Sequence, residues 1–362
     1  MPTIFQSLSS IEPDKSAISA TAAVTHRPPI SARAVRRRKP EISERSLIDP
    51  KIGAEPRTLE ISHLPPVRRC ERMHRSEITF LSGDDDRCAA WLYRPADSED
   101  AAATPVVVMA HGLSGTRRDR LGAFAQRFAQ AGYRALVFDH RGFGDSGGEP
   151  DLFEPARQLE DWRAAIACAR SLPGVDADRI VTFGSSMGGG NALAAAAADR
   201  RVAAAISQVP FLDILRQAHR PPPRVAVRAL LTAIRGGHLP AVGQPDEAAF
   251  INAPDSEAGW RRVVATGEDS RWRDRVSARW LLGRPFNPGR HAGTLHCPWL
   301  VCVGEADQVA RPGPAIAAAR RAPHGELRTY PGVDHFDIYD GPAHEAVVAD
   351  QLVFLRCHLG MD

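Results

Sequence analysis

The chain has 362 residues, 43% of them hydrophobic and 25% charged, with a formal net charge of +3. That balance fits a globular protein with a substantial core. Much of the basic excess sits in the first seventy or so residues, around Arg36-Arg37-Arg38-Lys39, so the folded part carries no case for nucleic-acid binding. No apolar run approaches the length of a membrane span, and the N-terminus lacks the apolar core of a secretion signal. Six cysteines, Cys70, Cys88, Cys168, Cys297, Cys302 and Cys357, are scattered without C-x-x-C spacing. Free thiols and a cytoplasmic protein are the expectation.

Residues 1–72 are rich in Ser, Ala, Pro and Arg and show no sustained periodicity. They read as a disordered or weakly ordered extension, since they offer little apolar surface to offset the entropy of ordering. From Ile78 to Leu81 and from Cys88 to Arg94, two β-type runs flank a polar turn, the pattern of a hairpin. Pro105–Ala110 is a continuous apolar run, as in a strand buried on both faces. A helical pattern over Leu121–Ala131 and a strand over Arg134–Asp139 follow, then a turn-rich stretch from Arg141 to Gly148 and a helix from about Glu154 to Leu172. Further strands are read at Arg179–Phe183, Val202–Gln208, Leu300–Gly304 and Glu326–Tyr330, with helices over Asn191–Ala198, Pro314–Arg321 and Ala343–His358. This alternation predicts an α/β fold: a mostly parallel sheet covered on both faces, with an antiparallel pair at its start.

Between Phe211 and about His296 the alternation stops, and Arg, Pro and Trp become plentiful. A loop that long without structure would be improbable, so residues 212–296 read as a mainly helical lid over the carboxyl edge of the sheet. The expected division is thus 1–72 extension, 73–211 first part of the core, 212–296 lid, and 297–362 second part of the core.

Gly184-Ser185-Ser186-Met187-Gly188 fits G-x-S-x-G between a strand and a helix. A serine on so sharp a corner adopts a strained backbone, and small residues two before and two after let strand and helix approach. Ser186 is therefore the candidate nucleophile. A serine hydroxyl is a weak nucleophile at neutral pH and needs a base, and that base needs a carboxylate to orient it. Both are expected at later strand ends, acid before histidine. Asp307, in Gly304-Glu305-Ala306-Asp307, and His335, in Gly332-Val333-Asp334-His335, fill these places. Glu305, Asp334 and Asp337 are rival carboxylates. The oxyanion would be met by the backbone N–H groups of Met187 and of Leu113, the latter in the loop after the Val106–Ala110 strand. His111 is expected to brace that loop.

With these residues in place the chain resembles an α/β-hydrolase, close to the serine aminopeptidase-like and dienelactone hydrolase-like branches. The resemblance rests on His111-Gly112-Leu113-Ser114-Gly115, Asp139-His140-Arg141-Gly142-Phe143-Gly144-Asp145-Ser146, Gly184 to Gly188, Gly304 to Asp307, and Asp334-His335. It implies an eight-stranded sheet, an acyl-serine intermediate, no metal and no organic cofactor. One departure is Arg311, where the family usually carries a proline four residues after the acid. The expected activity is hydrolysis of a carboxylic ester, thioester or lactone of a partly apolar small-molecule substrate. Alternatives are acyl transfer or cyclisation with the same residues, a peptidase served by Asp246, Glu247, Asp255 and Glu257, and a non-catalytic binding protein. The physiological substrate and the oligomeric state are not legible in the sequence.

Overall fold

The computed structural model describes residues 73–83, 85–96 and 103–360. The expected extension, 1–72, lies outside the described residues, as does Cys70. In chain order come β1 (Met73–Ser82), β2 (Asp86–Pro95), β3 (Thr104–Ala110), α1 (Leu121–Gln130), β4 (Arg134–Phe138), α2 (Pro155–Ser171), β5 (Val175–Ser185), α3 (Met187–Ala198) and β6 (Val202–Gln208). Next are α4 (Ile214–Gln217), α5 (Pro223–Ile234), β7 (His238–Leu239), α6 (Ser256–Ala265), β8 (Val276–Ser277) and 3-10 turns at Ala278–Leu282 and Pro288–Thr294. The series closes with β9 (Trp299–Gly304), α7 (Pro312–Arg321), β10 (Gly325–Tyr330), a 3-10 turn at Asp337–Tyr339, and α8 (Gly341–Leu359).

Eight strands form one mixed, mostly parallel sheet in the order β1-β2-β4-β3-β5-β6-β9-β10. Only the β1–β2 and β2–β4 pairs within it are antiparallel. The sequence of β3 shows why the sheet is covered twice. Val107 and Met109 point to one face, where Phe124 and Phe128 of α1 and Phe354 and Leu355 of α8 pack. Val106, Val108 and Ala110 point to the other, onto Trp162 and Ile166 of α2, Leu193 of α3 and Ala315 of α7. Alternate side chains of a strand face opposite sides, so an unbroken apolar run supplies two cores at once. Each such Val or Leu contributes roughly 1.5–3 kcal/mol of burial.

Three elements run longer than the sequence pattern suggests. β1 begins at Met73 rather than Ile78: its polar first half sits on an edge strand in register with β2 out to Met73↔Pro95. β5 begins at Val175, because Val175 pairs with Thr104 beyond an irregularity in the ladder. α3 begins at Met187, before its three glycines, whose weak helix propensity is overridden by close packing on neighbouring backbone.

The segment between β6 and β9 contains no long strand. Helices are its principal regular elements, with a two-residue antiparallel pair, β7–β8. It is fastened to the loops that follow β3 and β4. Glu268 N–H donates to Arg118 O (2.8 Å), Ser277 N–H donates to Asp151 O (2.8 Å), and the Ser270 hydroxyl donates to Asp119 (2.5 Å). No helix of the described residues is long and apolar enough to cross a membrane. Cys88, Cys168, Cys297, Cys302 and Cys357 carry free thiols.

Candidate active site

The carboxyl ends of β3, β5, β6, β9 and β10 border the candidate residues. β5 runs into Ser186, whose backbone sits at φ 58°, ψ −125°, and α3 starts at the next residue. A side chain at Gly184 would strike the Gly188 carbonyl, and one at Gly188 would strike the His111 carbonyl. Both glycines are thus required by contact with backbone, which gives the G-x-S-x-G spacing its steric cause. The corner is held by hydrogen bonds from Ser186 N–H to Gln208 O (2.9 Å) and from Phe211 N–H to Ser186 O (3.1 Å).

The structure brings Ser186, His335 and Asp307 together. His335 Nε2 lies 3.1 Å from Ser186 Oγ, and His335 Nδ1 lies 2.7 Å from Asp307 Oδ2. A carboxylate only accepts, so Nδ1 carries the proton and Nε2 faces the serine as acceptor. The other Asp307 oxygen accepts from Val309 N–H (2.9 Å) and Ala310 N–H (2.7 Å), which fixes the carboxylate plane. All three side chains are buried. The rival acids lie elsewhere: Asp334 accepts from Gln308 N–H, Asp337 from Asp334 N–H and Arg262, and Glu305 is exposed.

Met187 opens α3, where the first backbone N–H groups of a helix have no partner within the helix. The β3 loop comes in against it. A Cβ on Gly112 would lie 2.9 Å from Ser186 Cβ and 3.4 Å from Met187 N, so the Gly112-Leu113 backbone borders Ser186. His111 braces this loop: Nε2 accepts from His140 N–H (3.4 Å), leaving Nδ1–H to donate to Gly112 O (2.7 Å). Burial, reinforced by His140 nearby, pushes the His111 imidazole down to about 3, so the ring stays neutral in this role.

Several supporting residues gave no sequence signal for their partners. Asp139 accepts from Arg117 N–H (2.6 Å), from Asp145 N–H (3.0 Å) and from the Arg117 guanidinium, tying the loop after β3 to that after β4. Asp161 on α2 accepts from Ser82 (2.7 Å) and from the Arg141 side chain (2.5 Å) and contacts His140 Nδ1 (3.1 Å). From the segment between β6 and β9, Trp272 Nε1–H donates to Ser114 Oγ (3.0 Å), and Trp260 packs on Gly115, Trp272 and Phe336. Arg311, the departure from the family pattern, is exposed ahead of α7. Among the described residues, no group of three or more His, Cys, Asp or Glu is placed to hold a metal ion.

This fold and these strand ends define an α/β-hydrolase. The family model described as serine aminopeptidase, S33, matches residues 101–340, and the chain belongs to that family. It is 42% identical over 292 residues to the quorum-quenching protein AidA of Acinetobacter baumannii, covering 77% of this chain and 94% of that protein. It is 28% identical over 300 residues to the polyketide transferase af380 of Aspergillus fumigatus, covering 79% and 99% respectively. Among solved structures, the α/β-hydrolase GrgF from Penicillium aligns with a TM-score of 0.67 at 23% identity, over 80% of this chain and all of that one. The chain is therefore an enzyme of the α/β-hydrolase class, with relatives named thiohydrolase and polyketide transferase.

Proposed function

We propose that the protein is a serine hydrolase that cleaves a carboxylic ester, thioester or lactone of a partly apolar small molecule through an acyl-Ser186 intermediate. The observation that carries this reading is the continuous hydrogen-bonded line Ser186–His335–Asp307 beneath a strained corner. Ser186 Oγ attacks the acyl carbon while His335 Nε2 takes its proton, and Asp307 stabilises the imidazolium that forms. The backbone N–H groups of Met187 and Leu113 receive the developing oxyanion. As the tetrahedral species collapses, His335 returns the proton to the leaving oxygen or sulfur. Water, deprotonated by the same histidine, then releases the acid and regenerates Ser186.

Residues 73–211 and 297–362 form the catalytic core in this reading, and 212–296 act as its lid. Support for the lid comes from Trp260 and Trp272, which lie against Ser114, Gly115 and the residue after His335. Excluding water there strengthens every charge interaction at the serine.

A second reading keeps the acyl-enzyme and passes the acyl group to an alcohol or amine, or closes a ring. The relatives named polyketide transferases favour it. A peptidase has less support, since two of its four candidate acids are engaged locally: Glu257 with Arg261 (2.6 Å) and Gln244 (2.8 Å), Glu247 with Gln244 N–H (3.0 Å). The test is a panel of p-nitrophenyl esters, thioesters and lactones of increasing acyl length, read for a burst of first product. A burst followed by free acid supports hydrolysis. New ester or amide formed with added alcohol or amine, in preference to acid, moves the assignment to transfer. Absence of turnover across the panel defeats both.

A further inference from the structure

We propose that the outer face of α5 and its neighbours is a docking surface for an anionic lipid membrane. Among the described residues, eight large apolar side chains are exposed, and seven of them lie between Leu215 and Leu282. α5 carries Val227 (57% exposed), Leu230 (45%), Leu231 (43%) and Ile234 (63%). These are positions i, i+3, i+4 and i+7, one stripe of a helix.

Packing among the described residues does not account for that stripe. A separate set on the same helix, Val225, Ala229 and Ala233, faces inward, and Ala229 and Ala233 pack in a small core with Leu239 and Ala278. At about 100° per residue the two sets point to nearly opposite sides, so α5 is apolar both toward the protein and away from it. Leu215 of α4 and Leu281 and Leu282 of the following 3-10 turn extend the outward surface. A cavity of about 660 Å³ opens between these segments, lined in part by Leu215, Leu230, Phe250 and Leu281.

Charge selects the occupant. From Ile214 to Pro245 the sequence holds Arg216, Arg220, Arg224, Arg228 and Arg235 and no acidic residue. Arg216 pairs with Asp213 at 3.6 Å, while Arg220, Arg224, Arg228 and Arg235 are exposed, the last three along one flank of the apolar stripe. A second copy of the chain fits poorly, because a twofold interface would set this patch on itself and oppose arginine to arginine. An amphipathic helix with an apolar face bordered by arginines suits the headgroup region of an anionic bilayer, where the stripe sinks among the acyl chains and the guanidinium groups meet phosphate.

The experiment is cosedimentation of the full chain with vesicles of phosphatidylcholine alone and of phosphatidylcholine mixed with phosphatidylglycerol, at low and raised salt. Partitioning onto the anionic vesicles, weakened by salt, is expected. The variant V227S/L231S/I234S should lower that partitioning by about tenfold or more, with an unchanged thermal melt because the altered positions are exposed. R224E/R228E/R235E should remove the preference for phosphatidylglycerol. No binding to either vesicle overturns the proposal. So does binding that V227S/L231S/I234S leaves intact, which would place the contact at another basic segment such as 36–39. Sedimentation velocity without vesicles supplies the remaining outcome: a dimer that V227S/L231S/I234S converts to monomer would assign the face to a second copy.

Discussion

The hydroxyl of Ser185 lies 2.5 Å from the phenol of Tyr339, joining the corner at Ser186 to the segment that carries His335. Behind it, Gln351 Nε2–H donates to Gln208 Oε1 (2.8 Å) and Gln208 Nε2–H donates to Ser185 Oγ (3.2 Å). All four side chains are buried, so a missing partner leaves another polar group unsatisfied. S185A and Y339F should each destabilise the protein by about 1 kcal/mol. Their effects should fall short of additive by at least about 0.5 kcal/mol in a double-mutant cycle read by urea unfolding. Strict additivity would show that the contact carries no coupling.

Gly184 and Gly188 are limited by backbone carbonyls rather than by flexible side chains, so no rotamer change can relieve a new methyl group. G184A or G188A should cost about 1–3 kcal/mol of stability and abolish turnover by displacing Ser186. G313A, at a glycine with open space around it, is the control and should leave both unchanged. Calorimetric melts of the three variants check this.

Asp307 both holds His335 and is itself fixed by two backbone N–H groups. In D307N the amide can present its N–H₂ toward His335 and favour the wrong tautomer. The expected loss in kcat is on the order of 10³–10⁴, by analogy with the chymotrypsin-type aspartate-to-asparagine change, with KM little altered. A D334N or D337N variant showing that loss instead would reassign the acid.

His111 is buried neutral, its pKa depressed from 6.5 to about 3 by burial first and by His140 second. A depressed folded pKa means the unfolded chain takes the proton first, so the stability is present above the unfolded value and is lost as pH falls. Between about pH 6.5 and 3 this one group removes up to about 1.4 kcal/mol per pH unit. H111N should flatten that part of the urea-midpoint profile while lowering stability at neutral pH. His344, which burial also holds below its ordinary value, keeps its share in the variant.

The strands were legible because a parallel sheet buries them on both sides: Val106-Val107-Val108-Met109 leaves a period-free apolar run that little else explains. The starts of β1 and β5 were not, since Met73–Glu77 owe their conformation to pairing with β2, and Val175 to its one pair with Thr104 beyond an irregularity, rather than to their own pattern. Ser186, Asp307 and His335, which lie together in the structure, are singled out as candidates by local spacing and strand order. The Ser185–Tyr339 contact and the seat of Trp272 on Ser114 span more than 150 residues each, and no local signal encodes them. The want of buried strands between β6 and β9 predicts a mainly helical segment, yet much of it is irregular chain held by side-chain and backbone contacts to the β3 loop.

The most direct test is the site of covalent labelling by a fluorophosphonate probe, mapped by peptide mass spectrometry in the native enzyme and in S186A and H335A. One adduct, on Ser186, lost in S186A and much slower to form in H335A, is the predicted result. An adduct on Ser185 or another serine, or undiminished ester turnover by S186A, would contradict the account.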